Sequence, residues 1–397
     1  MQGPYAVSGY WNGDADEAAL QLWVGALRSR LSAAKVSLGV VFLTPHLFDR
    51  AAPVLEILRV HGQIPLLVGC STTSLIHGGE ELEEARGLVL ALLHLPRVKL
   101  QALHFRQSQV EEANGPAYWH METGIGPDQT NGWLVFADPY HLDPESWLRG
   151  WNEAYAPLPT LGGLASGEHS QQRTQVYLQG DVFEEGAVAL SVGGGVELAG
   201  VVSQGCSPIG ETWTITRAQQ NFIVEIGNRP AYQVLAETFN RLSPDEKRKA
   251  HGNLFVGLAV NEYLEDFHRG DFLIRNLLAA DPHSGTLAVG AWPRTGQTMQ
   301  FQRRDAEAAS EDLAALLRRA HDQFASRAVY GACLCCCSGR GQRMFGRPHH
   351  DAALVQTHLG PLGLAGFFCN GEIGPVGERN FLHGFTASLG LFVEKIS

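Results

Sequence analysis

The chain has 397 residues, of which 45% are hydrophobic and 18% are charged, and its formal net charge is −11. This length suggests two or three domains, and the composition is that of a folded globular protein. A negative charge without a long basic run argues against a dedicated nucleic-acid binder and against adsorption on anionic lipid. The longest apolar runs, such as Val36–Leu43 and Gly87–Leu95, are too short to insert across a bilayer.

The N-terminus and the cysteines indicate a cytoplasmic protein. Residues 1–13 contain no basic segment followed by an apolar one, so no secretory signal is predicted. The seven cysteines are an odd number, and four of them lie within Cys333–Cys337. This distribution does not fit a disulfide framework, and it agrees with a reducing compartment.

Three helices are predicted from capping residues and apolar periodicity. Asp14, Asp143 and Asp305 are the expected N-terminal ends, and Pro144 follows Asp143 at the first helical position. Apolar residues at helical spacing follow each of them. The stripes are Leu20, Trp23, Leu27 and Leu31; Trp147, Leu148, Trp151 and Tyr155; and Leu313, Leu317, Ala320 and Phe324.

An internal repeat is predicted from the order of the elements. A strand, a helix, a strand that begins near a proline and a turn of small residues follow one another three times. The first strands are Val36–Leu43, Trp133–Ala137 and Val329–Cys337, and a further apolar strand comes later in each repeat. The two strands that flank the helix should be parallel. We therefore predict an α/β protein (mixed α+β) of two lobes, built from repeated β-α-β-β units whose mixed sheets are covered by helices.

The domain boundaries follow from this repeat. Residues 1–35 are expected to form an N-terminal helix and lead-in, and residues 36–245 a first lobe with repeat units at about 36–106 and 131–203. Residues 246–397 are expected to form the second lobe. The charged segment Ser243–Lys249 marks the boundary between the two lobes.

Two turns at the predicted strand ends of the last repeat hold the strongest candidate site. They are Ser338-Gly339-Arg340-Gly341 and Asn370-Gly371-Glu372. Ligands of open α/β sheets bind beyond the carboxyl ends of the strands. A guanidinium binds a carboxylate or phosphate with two hydrogen bonds, and a carboxylate binds an ammonium group. The pair suits a zwitterion such as an amino acid; alternatively, Arg340 and Glu372 pair with each other or cap turns.

The cysteine run is expected to be structural. Alternation along a strand puts Cys333, Cys335 and Cys337 on one face and Cys336 on the other, so the run alone does not chelate a metal. Buried thiols are favoured, with metal binding together with His349 or His350 as one alternative. A reactive thiol at Cys337 is the other alternative. No cofactor or metal is predicted, since the nucleotide-binding and metalloprotease motifs do not occur in the sequence.

The C-terminal motifs resemble a known family. Gly339-Arg340-Gly341, the segment Gly366–Pro375 with its Asn370-Gly371-Glu372-Ile373-Gly374 core, and Asn380–Thr386 closely resemble the FIST C-terminal region. The segment Gln204–Gly210, together with Trp213–Thr216 and Asn228–Ala231, is similar to the end of the FIST N-terminal region. FIST names a sensory domain of F-box and intracellular signal-transduction proteins. The resemblance extends from about residue 35 to the end of the chain.

The resemblance implies a sensor of small ligands, with amino acids the usual suggestion for the family, and no enzymatic activity. The predicted ligand-binding residues are Arg340, Gly341, Asn370, Gly371, Glu372 and His383. No output domain is expected, so a signal would pass through a protein partner or a homo-oligomer. The first repeat has Thr72, Thr73 and Ser74 where the last has Asn-Gly-Glu, which argues against an equivalent site there.

Two other classes of function stay open. One is an enzyme that uses Cys337 or Cys206 as the nucleophile and His383 as the base. The other is an interaction scaffold, in which exposed aromatic residues form a partner surface. Trp119, Trp133 and Trp292 are the residues predicted for that surface.

Overall fold

The computed structural model describes residues 5–264 and 266–396, and it divides the chain into two compact units. The first unit contains the chain up to Val202, Leu313–Leu382 and the segment from Thr386 onward. The second contains Ser203–Asp312 and His383–Phe385. The lobe boundary expected near residue 245 lies inside this second unit. Residues 1–4 of the expected lead-in and residues 265 and 397 of the expected second lobe lie outside the described residues.

The first unit contains three copies of one repeat, and each copy is larger than the sequence indicated. The first copy begins with an additional strand and helix before the predicted β-α-β core. Asp16, rather than the predicted Asp14, caps its first helix, because its carboxylate accepts a hydrogen bond from the N–H of Ala19 at 2.8 Å. Its elements are β1 (Ala6–Trp11), α1 (Glu17–Ser29), β2 (Leu38–Leu43), a 3-10 turn (Pro45–Arg50), α2 (Ala51–His61), β3 (Leu67–Ser71), β4 (Leu75–His77), β5 (Glu80–Leu82) and β6 (Leu88–Leu93).

The second copy follows directly and keeps the same order. Asp143 caps its central helix as predicted, with Pro144 at the first helical position. Its elements are β7 (Val98–Phe105), α3 (Gln107–Glu112), α4 (Pro116–Thr123), β8 (Trp133–Ala137), α5 (Pro144–Tyr155), β9 (Thr160–Leu164), a 3-10 turn (His169–Gln171), β10 (Val176–Leu178), β11 (Asp181–Phe183) and β12 (Ala187–Gly194).

The third copy is interrupted after its first strand, β13 (Val196–Gln204), by the second unit. That unit contributes β14 (Cys206–Gln219), β15 (Phe222–Ile226), β16 (Arg229–Pro230), α6 (Ala231–Arg241), α7 (Pro244–Ala250), β17 (Leu254–Ala259), β18 (Phe272–Ala280), β19 (Leu287–Val289) and β20 (Thr298–Arg304). The repeat then resumes with α8 (Ala306–Phe324), β21 (Val329–Cys337), α9 (Gln342–Phe345), α10 (His350–Leu359), β22 (Leu364–Cys369), β23 (Glu372–Val376), β24 (Arg379–His383) and β25 (Thr386–Glu394).

Each repeat builds one mixed six-stranded sheet, and each sheet borrows a hairpin from another repeat. The sheet orders are β1-β6-β2-β3-β10-β11, β7-β12-β8-β9-β23-β24 and β13-β25-β21-β22-β4-β5. The parallel pairs are β2–β3, β8–β9 and β21–β22, as predicted from the repeat. Hairpin β4–β5 of the first repeat joins the third sheet, β10–β11 joins the first, and β23–β24 joins the second. The three repeats therefore interlock in a cycle.

The interlocked sheets share one apolar core and cover it with helices. Inner-face residues such as Phe42, Phe136 and Cys335 form the central core. On the outer faces, separate cores lie beneath α1 and α2, beneath α4 and α5, and beneath α8 and α10. The predicted alternation of the cysteine run is confirmed, because Cys333 and Cys335 face the central core while Cys336 faces the helices.

The tryptophans of the second repeat correct one expectation. Trp119 and Trp133, predicted as part of an exposed partner surface, are fully buried, whereas Trp292 is 69% exposed. Both buried rings pack against Trp151, with centroid distances of 5.2 and 4.8 Å. Large aromatic rings at inward positions of a sheet and its helices gain more from burial than they would from exposure.

The second unit has its own seven-stranded sheet in the order β14-β20-β17-β18-β19-β15-β16, and its core includes residues of α6. Its strand pairs are antiparallel. No helix in the part of the chain that the structure describes is long and apolar enough to cross a membrane.

Candidate ligand site at the strand ends of the third repeat

The turn after β21 carries a fully buried arginine. Arg340 is 1% exposed, and its Nε and Nη2 donate to Oδ2 and Oδ1 of Asp351 at 2.6 and 2.8 Å. Asp351 lies in the first turn of α10, so the ion pair ties the turn to that helix. The remaining nitrogen, Nη1, is buried and has no hydrogen-bond partner among the described residues. The pair holds the pKa of Asp351 well below its usual range, so both groups stay charged.

An aromatic wall covers the guanidinium. The ring of Phe345, at the end of α9, lies 5.2 Å from the Arg340 Cζ atom. The same ring stacks on His350 with a centroid separation of 3.5 Å and an interplanar angle of 8°. His350 Nδ1 is 2.9 Å from Asp351 Oδ1. The segment 338–349 therefore folds over the ion pair and separates it from water.

A glutamate from the first repeat reaches the same cluster. Glu81 lies on the borrowed strand β5, and its Oε1 accepts from the N–H groups of Asp351 and Ala352 at 2.7 and 2.9 Å. This carboxyl therefore caps the N-terminus of α10. Its Oε2 is buried and has no hydrogen-bond partner among the described residues. Burial and the nearby charge of Asp351 raise the pKa of Glu81 to about 7.

Glu372 lies at the start of β23, on the inner side of the strand ends. Its side chain is fully buried, and Oε2 accepts from the N–H of Thr386 at 3.0 Å. Cys369 Sγ is 3.2 Å from Oε1. Burial raises the pKa of Glu372 to about 8, although the charge of Arg340 acts in the opposite direction. At neutral pH the carboxyl is therefore mostly protonated.

The structure does not pair Arg340 with Glu372. Arg340 binds Asp351 on the helix-covered side of the third sheet. Glu372 instead pairs with Gly163 of β9, at a position that faces the central core. Both groups are nevertheless close enough for the guanidinium to lower the pKa of the carboxyl. The strand end thus has a permanent ion pair on one side and a neutral acid on the other.

The remaining predicted ligand residues lie in different settings. Gly341 and Gly371 are buried, and Asn370 is exposed with its Nδ2 donating to the Ala165 carbonyl at 3.2 Å. His383 is buried and belongs to the second compact unit. The structure therefore groups five of the six predicted residues in the first unit.

The thiols form no disulfide. Six of the seven are buried and Cys337 is half-buried. Burial raises the pKa of Cys70, Cys335, Cys336 and Cys369, which disfavours their thiolates. Cys206 is buried in the second unit. Among residues 5–264 and 266–396, no group of histidine, cysteine, aspartate or glutamate side chains has a metal-binding arrangement.

Sequence reasoning missed Asp351 and Glu81. Asp351 carried a usable signal, because an acid in the first turn of a helix that follows an arginine turn is a natural partner for that arginine. Glu81 carried none, since its contact with α10 spans 270 positions in the chain. Only the hairpin exchange brings it there.

The family follows from comparison with known domains. The FIST N domain matches residues 37–229, and the FIST C domain matches residues 231–375. The chain belongs to the FIST family, whose domains are sensory domains of signal-transduction proteins thought to bind small ligands.

Similar proteins have been identified in mycobacteria. The uncharacterized protein Mb0898c of Mycobacterium bovis is 38% identical over 383 residues, which cover 96% of each chain. The uncharacterized protein Rv0628c of Mycobacterium tuberculosis is 36% identical, over 92% of this chain and 94% of its own length. A solved cyanuric acid hydrolase aligns with 98% of this chain and 100% of its own, at 10% identity and a TM-score of 0.32. A likeness this weak carries no argument about the present chain.

Proposed function

We propose that this protein is a sensor that binds an amino acid or a similar small polar metabolite at the strand ends of the third repeat. The observation that supports this most is the pair of unpartnered buried atoms, Nη1 of Arg340 and Oε2 of Glu81. Buried polar groups without partners cost stability, and bound ligands commonly satisfy them. Both atoms belong to the charged cluster around Asp351.

Five of the six predicted residues have a part in this proposal. Arg340 binds the anionic group of the ligand through Nη1, and the N–H groups of Gly341 and Gly371 assist. Asn370 and Glu372 interact with the cationic or hydrogen-bonding end. Because Glu372 is mostly protonated at neutral pH, an ammonium group would promote its ionisation, and binding would release a proton. The ligand-binding role of His383, which belongs to the second unit, stays a prediction.

A sensor requires two conformational states, and we propose that these are a closed and an open form of the segment 338–349. Arg340 is enclosed by the segment 338–349 and by the Phe345 ring, so a ligand reaches Nη1 only when this segment moves. A ligand changes the balance between closed and open forms by binding one of them more tightly. A protein partner or a second copy of the chain would read that change. Thiols without disulfides support a reducing, cytoplasmic location for this role.

The test uses each of the twenty amino acids as a probe in thermal unfolding, followed by native mass spectrometry of the mixtures. Arg340→Lys keeps the charge beside Asp351 but removes Nη1, so we expect at least about tenfold weaker binding, equivalent to 1.4 kcal/mol. Arg343→Lys, at an exposed position of the same segment, is the matched control and should bind as the wild type does. Equal stabilisation of the wild type and Arg340→Lys would exclude Arg340 as the anion-binding residue.

A further inference from the structure

Two cysteines end the parallel strands of the third repeat side by side. Cys337 is the last residue of β21 and Cys369 the last of β22, and they are directly paired in the ladder. Neighbouring strands lie about 4.8 Å apart, and disulfides join residues whose Cα atoms are roughly 4.4–6.8 Å apart. Paired residues of a parallel ladder also point to the same face. The backbone therefore already holds the two thiols at bridging distance.

The carboxyl group of Glu372 interacts with both thiols. Cys369 Sγ lies 3.2 Å from Glu372 Oε1, and a hydrogen bond with Cys337 also acts on the pKa of Glu372. The other two repeats have no counterpart, because the position of Glu372 is taken there by Leu75 and Val176. A group that can accept and return a proton thus lies between two sulfur atoms.

The two thiols differ in exposure and in electrostatic environment. Cys337 is half-buried, whereas Cys369 is fully buried. Cys337 Sγ accepts a hydrogen bond from the Gly339 N–H at 3.4 Å, and it lies within the electrostatic reach of the Arg340 guanidinium. A nearby cation and a backbone donor both favour a thiolate. Cys337 is therefore the thiol that meets a dissolved reagent first.

We propose that Cys337 and Cys369 are a redox pair, in which a hydroperoxide oxidises Cys337 and Cys369 then closes an intramolecular disulfide. In the first step the Cys337 thiolate attacks one peroxide oxygen, so that an S–O bond forms and the O–O bond breaks. The sulfur loses two electrons, the peroxide gains them, and the leaving alkoxide or hydroxide takes a proton from water.

The second step closes the pair. Cys369 sulfur attacks the Cys337 sulfenic sulfur, an S–S bond forms, and the S–O bond breaks. The Cys369 proton passes through Glu372 to the departing hydroxide, which leaves as water. Glu372 ends the step in the protonation state in which it began. Reduction by a dithiol reverses the change. This inference does not depend on the ligand proposal, because no ligand takes part.

The experiment treats the full-length reduced protein with hydrogen peroxide and maps the products by mass spectrometry. We expect the intact mass to fall by two hydrogen atoms and a Cys337–Cys369 linked peptide to form. Cys369→Ser should stop at the sulfenic acid, trapped by dimedone on Cys337, and Cys337→Ser should give neither product. Cys206→Ser, buried in the second unit, is the control and should behave as the wild type does.

The role of Glu372 has a separate readout. Glu372→Gln keeps an acceptor for the Thr386 N–H but removes the proton carrier, so disulfide closure should slow by at least about tenfold while dimedone trapping persists. Glu378→Gln, at an exposed turn of the same hairpin, should leave the rate unchanged. A different disulfide in the wild type, or oxidation of Cys337 to the sulfinic acid without a bridge, would overturn the proposal.

Discussion

The first and third repeats share a backbone pattern but differ in what they place at its end. In each repeat one glycine pairs with an outward-facing residue of the neighbouring parallel strand: Gly69 with Val41 and Gly366 with Leu334. The residue after the glycine on such a strand faces the central core and pairs with the first residue of a borrowed hairpin, so these hairpin residues are equivalent. The first repeat's hairpin has Leu75 there and the third repeat's has Glu372. A position that holds an apolar residue of the central core in the first repeat thus holds a carboxylic acid in the third.

The other differences lie at the same end of the third sheet. Thr44 of the first repeat corresponds to Cys337 of the third, and Val182 of the second corresponds to Glu81 of the first. Buried ionisable groups oppose stability unless they are paired, so their concentration at one strand end is not required by the fold. The scaffold is common to the repeats; the second sheet has one buried carboxylate, Asp138, at the position of Cys337, and the third sheet has the larger group of buried ionisable side chains.

Loss of the buried ion pair between Arg340 and Asp351 should cause the largest change in the free energy of unfolding. Arg340→Ala leaves Asp351 charged and without its bidentate partner, so we expect a loss of about 3–5 kcal/mol in the free energy of unfolding. Urea unfolding measures it. Arg343→Ala, at an exposed position, should stay within about 0.5 kcal/mol of the wild type.

A double variant keeps the prediction testable if Arg340→Ala does not fold. Arg340→Met combined with Asp351→Leu replaces the pair by apolar side chains and should recover most of the loss, because neither charge is then left alone. An Arg340→Ala protein as stable as Arg343→Ala would mean that the ion pair does not set the third repeat apart.

The shared pattern gives the next largest effect. A Cβ atom at Gly69, Gly162 or Gly366 would lie 1.7, 1.9 or 2.1 Å from a carbonyl oxygen of the adjacent strand. Alanine at each position should therefore cost about 1–3 kcal/mol or more, with the largest cost at Gly162, because its φ of +139° also disfavours a side chain. Gly25→Ala in α1, where the new methyl group meets no atom within 4 Å, should instead stabilise by about 0.5–1 kcal/mol. If alanine at one of the three glycines caused no loss of stability, that repeat would not share the close strand contact of the other two.

The sequence predicted the repeated unit because its signals are local. Apolar runs, prolines before the second strands and helix caps all act within a few residues. The cap Asp143 was confirmed, whereas Asp16 takes the place of the predicted Asp14. The hairpin exchange could not be predicted, since it depends on pairing between segments far apart, such as Gly366 with Ile76. Strand boundaries also shifted slightly, for example from the predicted Val36–Leu43 to Leu38–Leu43.

Prediction of the candidate site was partial for the same reason. Arg340 and Glu372 could be selected because both follow strand ends in turns, where sequence and topology agree. Their partners could not be selected, because Asp351 lies on a helix face and Glu81 comes from another repeat. Burial of Trp119 and Trp133 was likewise invisible, since composition does not show which face of an element the other repeats cover.

The smallest expected effect is the pH dependence that separates Glu372 from its apolar counterparts. Its pKa is about 8 in the folded chain against an ordinary 4.5, so in this interval the folded state holds a proton that the unfolded state releases. The free energy of unfolding should therefore fall as pH rises, by up to about 1.4 kcal/mol per pH unit. Glu81, with a pKa of about 7, contributes part of this fall between pH 7 and 8, so the share of Glu372 is the difference in slope between the wild type and Glu372→Gln in urea unfolding over that range. Glu372→Gln should make the profile less steep in that interval and Glu378→Gln should not; parallel profiles for the wild type and Glu372→Gln would show that the buried carboxyl is already ionised.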